Sequence, residues 1–417
     1  MSHSVNYVKP NGLSYFIAKT VTTAAVKTMF KRKYLRNELK GVKGPYVVIC
    51  NHECMLDGIF TFSINRNKHT LVMSKSMLDS LPIYSFVKKL GVIEKHQFQT
   101  KIADMKKLKA VVDSGHQLIL YPAGLMTENG LSTPIPQATY KFLQWLGVDV
   151  YVARVYGTYF AMPKWAKGIR RGRTLLDVYK LFDSETLKGM KESEIKSQVD
   201  DAILFDAYEE QERLLVKYKK GNNVQGLQNV VYACPNCKSE FTIDVKGKRE
   251  DTLCCRACGY EQTADKYGFL HAKNGREIRH VSVWDSEIYD SLRQKVRADN
   301  TYCFSAETLV RKVDISTHKF QTVGEGVLSL SMEGFRLDGR IYGEEKHLHI
   351  PTHTIPALPN SPGRHIELQD GDEIYRCSLK EGKFVQKFVH LIKIFYEMHN
   401  GVSVRTYPKH YSFREET

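Results

Sequence analysis

An α/β domain built on a mainly parallel sheet with flanking helices, then a small cysteine-stapled ribbon, then a small β-rich domain with a C-terminal helix is the architecture this sequence predicts. Three observations predict it. Short apolar runs alternate with helical stretches through the first half; two Cys-x-x-Cys pairs follow; and short runs separated by Gly, Pro and Asp-Gly then lead into one amphipathic stretch. The 417 residues exceed one small domain, at roughly 100 to 200 residues per domain. With 42% hydrophobic residues, 26% charged residues and 13 prolines, disordered, collagen-like and coiled-coil classes fit poorly.

Residues 1–40 are expected to form an N-terminal amphipathic, basic helix. Leu13, Phe16, Ile17 and Val21 recur at helical spacing, and Lys31, Arg32, Lys33, Arg36, Lys40 and Lys43 follow. Such a helix either lies in a membrane interface or covers the core. Residues 41–220 hold the α/β pattern. YVVIC (46–50), Gln117–Tyr121 and Val148–Val155 read as buried strands, and 100–113 and 137–146 as helices stopped by Gly115 and Gly147. A long polar-faced helix is expected over 191–220, before the linker-like GNNVQGLQ.

The segment 229–265 carries CPNC-x17-CRAC. In a chain without an export signal this reads as metal binding rather than disulfides, with Cys234, Cys237, Cys255 and Cys258 closing a tetrahedron around a structural Zn ion. Cys254 leaves a one-residue ambiguity of register, and iron is the rival metal. Residues 266–300 read as a connector. From 301 to 417 the pattern is antiparallel β, closed by a helix with Phe384, Val385, Phe388, Leu391, Ile392, Phe395 and Tyr396 at spacings of three and four and stopped by Asn400-Gly401. Strands closed by one such helix resemble the pleckstrin-homology-like arrangement.

Net charge is +15, from 61 Lys and Arg against 46 Asp and Glu, so an anionic partner is expected: a nucleic acid, an acidic membrane leaflet or a phosphorylated substrate. No stretch approaches the ~20 apolar residues of a spanning helix, and no signal-peptide pattern opens the sequence. A cytoplasmic protein, peripherally associated with the cytoplasmic face of the membrane, is the expectation.

The segment VVICNHECMLDG carries the most chemical information. His52 and Asp57 lie five residues apart after a buried strand, where ligands bind in open α/β sheets. A histidine titrates near neutrality, and a carboxylate can fix its tautomer. Cys54 offers a Cys-His nucleophile instead, but free cysteine more commonly packs as a small hydrophobe.

With Asn51-His52 and Asp57 matching an Asn-His-x4-Asp motif, the chain resembles the glycerolipid acyltransferase family, which includes the lysophosphatidic acid acyltransferases. MSKSMLDSLPIYSFVKKLGVI (73–93), with Lys75, Pro82 and Gly91, looks like the second block of that family. YPAGLMTENG (121–130) sits where the family has Phe-Pro-Glu-Gly-Thr, and DVYVARVYGT (149–158) occupies the place of the fourth block. The resemblance covers about residues 40–215. It implies transfer of a fatty acyl group from acyl-CoA or acyl-ACP to a hydroxyl of a lysophospholipid or related lipid or phosphorylated alcohol. His52 would be the general base and Asp57 its orienting partner, with Asn51, Lys75, Lys95, Pro122 and Gly124 on the substrate side. Backbone N–H groups around Asn51 or Gly124 would meet the oxyanion.

The sequence departs from the family on the acceptor side. Ala123 replaces the Glu of the third block, Met126 or Thr127 its basic residue, Lys95 or His96 the phosphate-binding Arg of the second, and Tyr151 a small turn residue of the fourth. These changes leave the base intact and point to a divergent acceptor, or to a non-catalytic lipid-binding or scaffold protein. Basic patches at 31–43 and 164–173, with Trp165 for stacking, suggest a second alternative, a nucleic-acid-binding protein using the ribbon. The stretch HLHIPTHT (347–354) reads as surface polarity rather than as a metal site. A protein partner would dock through the C-terminal units.

Overall fold

The computed structural model describes residues 9–95 and 102–412. Seven strands form its first sheet: β1 (Lys33–Asn37), β2 (Tyr46–Cys50), β3 (His69–Ser74), β4 (Ile93–Lys95), β5 (Gln117–Leu120), β6 (Asp149–Tyr156) and β7 (Leu175–Phe182). Their spatial order is β1-β7-β6-β2-β5-β3-β4, and every neighbouring pair is parallel except β6 with β7. The expectation of a mainly parallel sheet therefore holds. Among the described residues ten helices accompany it: α1 (Gly12–Phe30), α2 (Asp57–Phe62), α3 (Lys75–Asp79), α4 (Tyr84–Lys88), α5 (Ile102–Asp113), α6 (Ala138–Leu146), α7 (Thr158–Ala161), α8 (Ser184–Gly189), α9 (Glu192–Ile203) and α10 (Ala207–Leu214).

Every side chain of β2 is buried because the sheet is covered on both faces. Val47 and Ile49 pack with α5, α6 and α9, whereas Tyr46, Val48 and Cys50 pack toward Val26 and Phe30 of α1 and Phe60 of α2. Successive strand residues point to opposite faces, so an unbroken apolar run is what a central strand requires.

Two expected elements differ. The basic run after α1 is not a helical end: the chain turns at Lys31, with φ 44°, and residues 33–37 become the edge strand β1. Lysine and arginine suit that edge, where charge discourages further strand pairing. The long helix expected over 191–220 is broken into α9 and α10. Between them Phe205 exchanges hydrogen bonds with Ser132, and Asp206 accepts from the Tyr208 and Glu209 N–H groups as the cap of α10. Tertiary pairing and a new cap together outweigh local helical propensity.

A four-stranded antiparallel sheet follows, in order β11-β10-β9-β8, from β8 (Ile243–Lys246), β9 (Thr252–Cys255), β10 (Glu261–Ala264) and β11 (Leu270–Ala272). The expected connector 266–300 is thus structured: it supplies β11 and the 18-residue helix α11 (Val281–Ala298). Trp284 and Ile288 of α11 join the apolar cluster of the first sheet and the ribbon, while Tyr289, Leu292 and Val296 join the next core.

That core belongs to a seven-stranded antiparallel sheet, β12 (Phe304–Asp314), β13 (Lys319–Leu330), β14 (Gly334–Ile341), β15 (Glu344–Pro351), β16 (Asn360–Ser361), β17 (His365–Asp370) and β18 (Glu373–Leu379). Its order is β15-β14-β13-β12-β18-β17-β16, and α12 (Val385–Asn400) packs against it before Gly401, at φ 65°, ends the helix. This sheet docks on the first one. Ser76 donates to Glu367 at 2.8 Å, Asn360 donates to Glu128 at 2.8 Å, and His318 stacks on Tyr84 while bonding the Asp79 carbonyl at 2.7 Å.

Candidate functional site

Because β2 to β6 run parallel, their carboxyl ends share one edge of the sheet. Asn51 and His52 follow β2, Pro122 and Gly124 follow β5, Lys75 follows β3, Lys95 ends β4 and Thr158 follows β6. One edge therefore collects the candidate catalytic and substrate residues of the first half, at the place where parallel sheets bind ligands.

His52 and Asp57 meet directly, with Nδ1 2.9 Å from Asp57 Oδ2. An ionised carboxylate only accepts, so Nδ1 carries the proton and Nε2 presents its lone pair. The same Oδ2 takes the backbone N–H groups of Glu53 and Cys54, at 2.6 and 2.8 Å, which locks the Asn51–Asp57 loop around the carboxylate. Asp57 is fully buried, whereas the His52 side chain keeps 20% of its exposure. The Tyr121 ring lies 4.5 Å from the imidazole, and its hydroxyl bonds Thr61 of α2 at 2.5 Å. The base is held from two sides and open on a third.

The other expected site residues divide. Asn51 Nδ2 donates to the Val155 carbonyl at 2.7 Å and its Oδ1 accepts the Val155 N–H at 2.8 Å, so this side chain ties β2 to β6 rather than facing a ligand. Gly124, at φ 70°, ends the turn begun by Tyr121-Pro122, and its N–H donates to the Tyr121 carbonyl at 3.0 Å, which removes it as an oxyanion donor. The αL conformation, rather than a contact, accounts for glycine at 124. Lys75 pairs with Asp79 at 2.7 Å, two strands from β2 and so about 10 Å along the edge. Lys95 is further still, and burial lowers its pKa. His96 lies outside the described residues.

A cavity of about 240 Å³ opens beside Lys75, where Ser74 and Ser76 face Ile350, Ala357, Leu358, Leu368 and Ile374 of the β-rich unit. His52 is not part of its lining.

Three neighbours of the pair escape sequence reasoning. Thr158 Oγ1 sits 2.7 Å from Asp57 Oδ1, and Glu53, fully buried, bonds Thr158, the Tyr159 N–H and Asn51 Nδ2 at 2.9, 2.7 and 3.0 Å. Burial, with Glu210 and Asp57 beside it, pushes the Glu53 carboxyl well above its usual range. Arg154, buried in β6, bonds Glu210 and the Ile203 carbonyl. A lone arginine inside the apolar run DVYVARVY is the one signal that would have announced a buried carboxylate opposite.

Cys54 is packed, not activated. Its Sγ lies 3.9 Å from Asp57 Oδ1, and burial and that carboxylate raise its pKa well above the ordinary thiol range. The 164–173 patch divides: Trp165 is 7% exposed, Lys164 pairs with Glu128 at 2.7 Å and Arg170 bonds the Gly221 and Asn223 carbonyls, whereas Lys167, Arg171 and Arg173 are exposed. The one ring offered for nucleic-acid stacking, Trp165, is therefore committed to the protein's own core.

Cys234, Cys237, Cys255 and Cys258 form one cluster, their sulfurs all within 4.8 Å of one another. Cys234–Cys258 and Cys237–Cys255 are each separated by 3.7 Å. Four thiolates at about 2.3 Å from a tetrahedral Zn²⁺ would stand about 3.8 Å apart, so the donor set fits such an ion. Hydrogen bonds from Ser239 lower the Cys237 thiol to about 6, whereas burial raises that of Cys234. Cys254 points to the opposite face of β9 and is outside the cluster, which settles the register on Cys255. Among the described residues no second such group occurs, and His347 and His349 are exposed on β15.

Residues 27–160 match the family model described as Acyltransferase. Among solved structures, the chain is similar to the 1-acyl-sn-glycerophosphate (LPA) acyltransferase PlsC of Thermotoga maritima, with a TM-score of 0.41 and 15% identity over 48% of this chain and 79% of that one. It is also similar to the Ran-binding domain of the nuclear complex component Nup2 of Ashbya gossypii, with a TM-score of 0.20 and 16% identity over 24% of this chain and 97% of that one. No curated protein matches the chain.

Proposed function

We propose that this protein is an O-acyltransferase that moves a fatty acyl group from a thioester, acyl-CoA or acyl-ACP, to a hydroxyl of a lysophospholipid or related alcohol. The observation that carries the reading is the 2.9 Å contact between His52 Nδ1 and Asp57 Oδ2, at the carboxyl edge of the sheet and inside the segment matching the acyltransferase model. His52 Nε2 takes the hydroxyl proton as the oxygen attacks the thioester carbonyl. When the C–S bond breaks, the thiolate leaves and takes that proton from the imidazolium, so the products are an ester and a free thiol. Asp57 holds the ring through Nδ1. The thioester is already an activated acyl group, so no covalent enzyme intermediate is needed. The test is thiol release from acyl-CoA and acyl-ACP over a panel of lysophospholipids and phosphorylated alcohols. Acceptor-dependent release supports the reading; its absence with every acceptor favours the scaffold alternative.

The cavity beside Lys75 suits the acceptor. Its polar mouth, Ser74 to Ser76, would meet the head group, with Lys75 exchanging Asp79 for a phosphate, and its apolar wall would take one alkyl chain. Ala357→Trp is expected to raise KM for a long-chain lysophospholipid about tenfold or more while leaving KM for the thioester unchanged. Equal KM values in variant and parent would remove the acceptor from this cavity.

The exposed face of α1 supports docking on a membrane. Leu13, Phe16 and Val21 are 71, 70 and 62% exposed, whereas Tyr15, Ala18, Val26 and Phe30 make the buried face. Among the described residues no helix is long and apolar enough to cross a membrane. In this reading α1 lies in the interface, with the exposed Lys27 toward anionic head groups, while Lys19 is held by the Asn67 carbonyl. Phe16→Glu with Val21→Glu is expected to lower co-sedimentation with anionic vesicles at least about tenfold, since two apolar anchors become charges. Sedimentation equal to the parent would place the contact elsewhere. The four-cysteine site is read as structural Zn²⁺, which has no open position for water once four thiolates bind it. The third sheet with α12 is read as a pleckstrin-homology-like unit on the strength of its strand order.

A further inference from the structure

Thr158 Oγ1 lies between two buried carboxyl groups, 2.7 Å from Asp57 Oδ1 and 2.9 Å from Glu53 Oε2. A hydroxyl has one proton to donate. It satisfies one carboxylate as a donor, and toward the other it has only a lone pair, so two anions at these distances would leave one contact without a hydrogen. One of the acids therefore supplies its own proton. Asp57 Oδ2 accepts three donors, two backbone N–H groups and the imidazole Nδ1–H. Glu53 takes one backbone N–H, from Tyr159, on the same Oε2 that faces Thr158, and one amide, from Asn51, on Oε1.

The charges facing Glu53 point the same way. From its own loop there is Asp57; from α10, Glu210; and from β6, Arg154, whose guanidinium is committed to Glu210 and the Ile203 carbonyl. The Tyr218 hydroxyl, donating to the Gly157 carbonyl at 2.9 Å, and the Cys54 thiol also face it.

We propose that Glu53 is a neutral carboxylic acid that donates its proton to Thr158 Oγ1, so that the threonine proton is directed at Asp57 and the chain Glu53–Thr158–Asp57 holds the His52 imidazole in its working orientation. Burial alone disfavours the charged form at this position, in agreement. Glu53 and Thr158 are positioning residues, since neither touches the reacting atoms. Their action on His52 rests on the reading of His52 as the base, whereas the protonation of Glu53 does not.

Two measurements on the full chain separate these parts. In infrared difference spectra at neutral pH, the parent minus Glu53→Gln is expected to contain a protonated-carboxyl C=O band that persists in the His52→Ala background. A difference spectrum holding only a carboxylate band overturns the proposal. In kinetics, Thr158→Val is expected to lower kcat about tenfold with KM for the thioester unchanged, and Thr158→Ser to restore most of it. Glu53→Gln keeps the position neutral, so the acidic limb of its pH–rate profile should stay in place. Were Glu53 an anion, the same change would delete a negative charge and move that limb to lower pH. An unchanged kcat in Thr158→Val, or a shifted limb in Glu53→Gln, overturns the positioning role. If the parent releases no thiol at all, the reading of His52 fails instead. The infrared band then still decides the state of Glu53, and faster solvent exchange of the His52 Nδ1–H in Thr158→Val decides the coupling.

Discussion

His52→Ala is expected to lower acceptor-dependent thiol release by about a thousandfold or more, within the range that a positioned general base supplies. The reason is local. Asp57 aims Nδ1, and so leaves Nε2 as a base with a fixed direction toward the open side of the site. Removing the ring leaves the hydroxyl proton with water as its only destination. The fold should survive, since the His52 side chain is partly exposed and the loop is closed by the Glu53 and Cys54 N–H groups on Asp57 rather than by the imidazole. Asp57→Asn is a poorer test for that reason, because it weakens the loop and the tautomer together. Unfolding profiles of His52→Ala should overlay those of the parent. A variant that retains release close to the parental rate would show that another group accepts the proton.

Cys237→Ser is expected to abolish stoichiometric metal binding and to destabilise the protein by several kcal/mol. Structural Zn²⁺ sites of four thiolates contribute about 10–16 kcal/mol of apparent binding free energy, and a tetrahedral site loses most of its selectivity with one ligand. The effect should spread past the ribbon. Cys234, Leu253, Cys255 and Tyr260 pack in the same apolar cluster as Tyr232 and Trp284, and the Trp284 indole N–H donates to the Ala233 carbonyl next to Cys234 at 2.9 Å. Loosening the knuckles therefore loosens α11, whose other face supports the third sheet. The measurements are metal content per chain after purification and thermal unfolding with and without chelator. Equal metal content and equal Tm in variant and parent would show that the cluster carries no ion.

How much of this was legible depended on range. The β2 run, the glycine that ends α6 and the Cys-x-x-Cys knuckles are encoded within a few residues, so period and spacing reveal them. The strand LLDVYKLF of β7 was not among the expected strands, and its place, parallel to β1 and antiparallel to β6, rests on pairing with distant segments. Pro122 and Gly124 were expected on the substrate side. The Gly124 N–H turned out to close its own turn, a distinction that depends on backbone conformation rather than residue type. Lys75 and Lys95 were expected on the substrate side; the structure pairs Lys75 with Asp79 and buries Lys95, which lowers its pKa.

The sequence alone determined the α/β class of the first half, the His52 and Asp57 pairing five residues apart and the four metal-ligand candidates, because each is a short-range pattern written along one stretch of chain. Only the tertiary structure decided what surrounds them. Glu53 and Thr158 are separated by 105 positions and meet because β2 and β6 are parallel neighbours whose ends share an edge. Residues 33–37 became a strand because β7 offered an open edge, and α11 became a shared wall because two cores each left a face to be covered. Non-local burial and hydrogen-bond satisfaction set those outcomes, and neither has a period that a linear string can display.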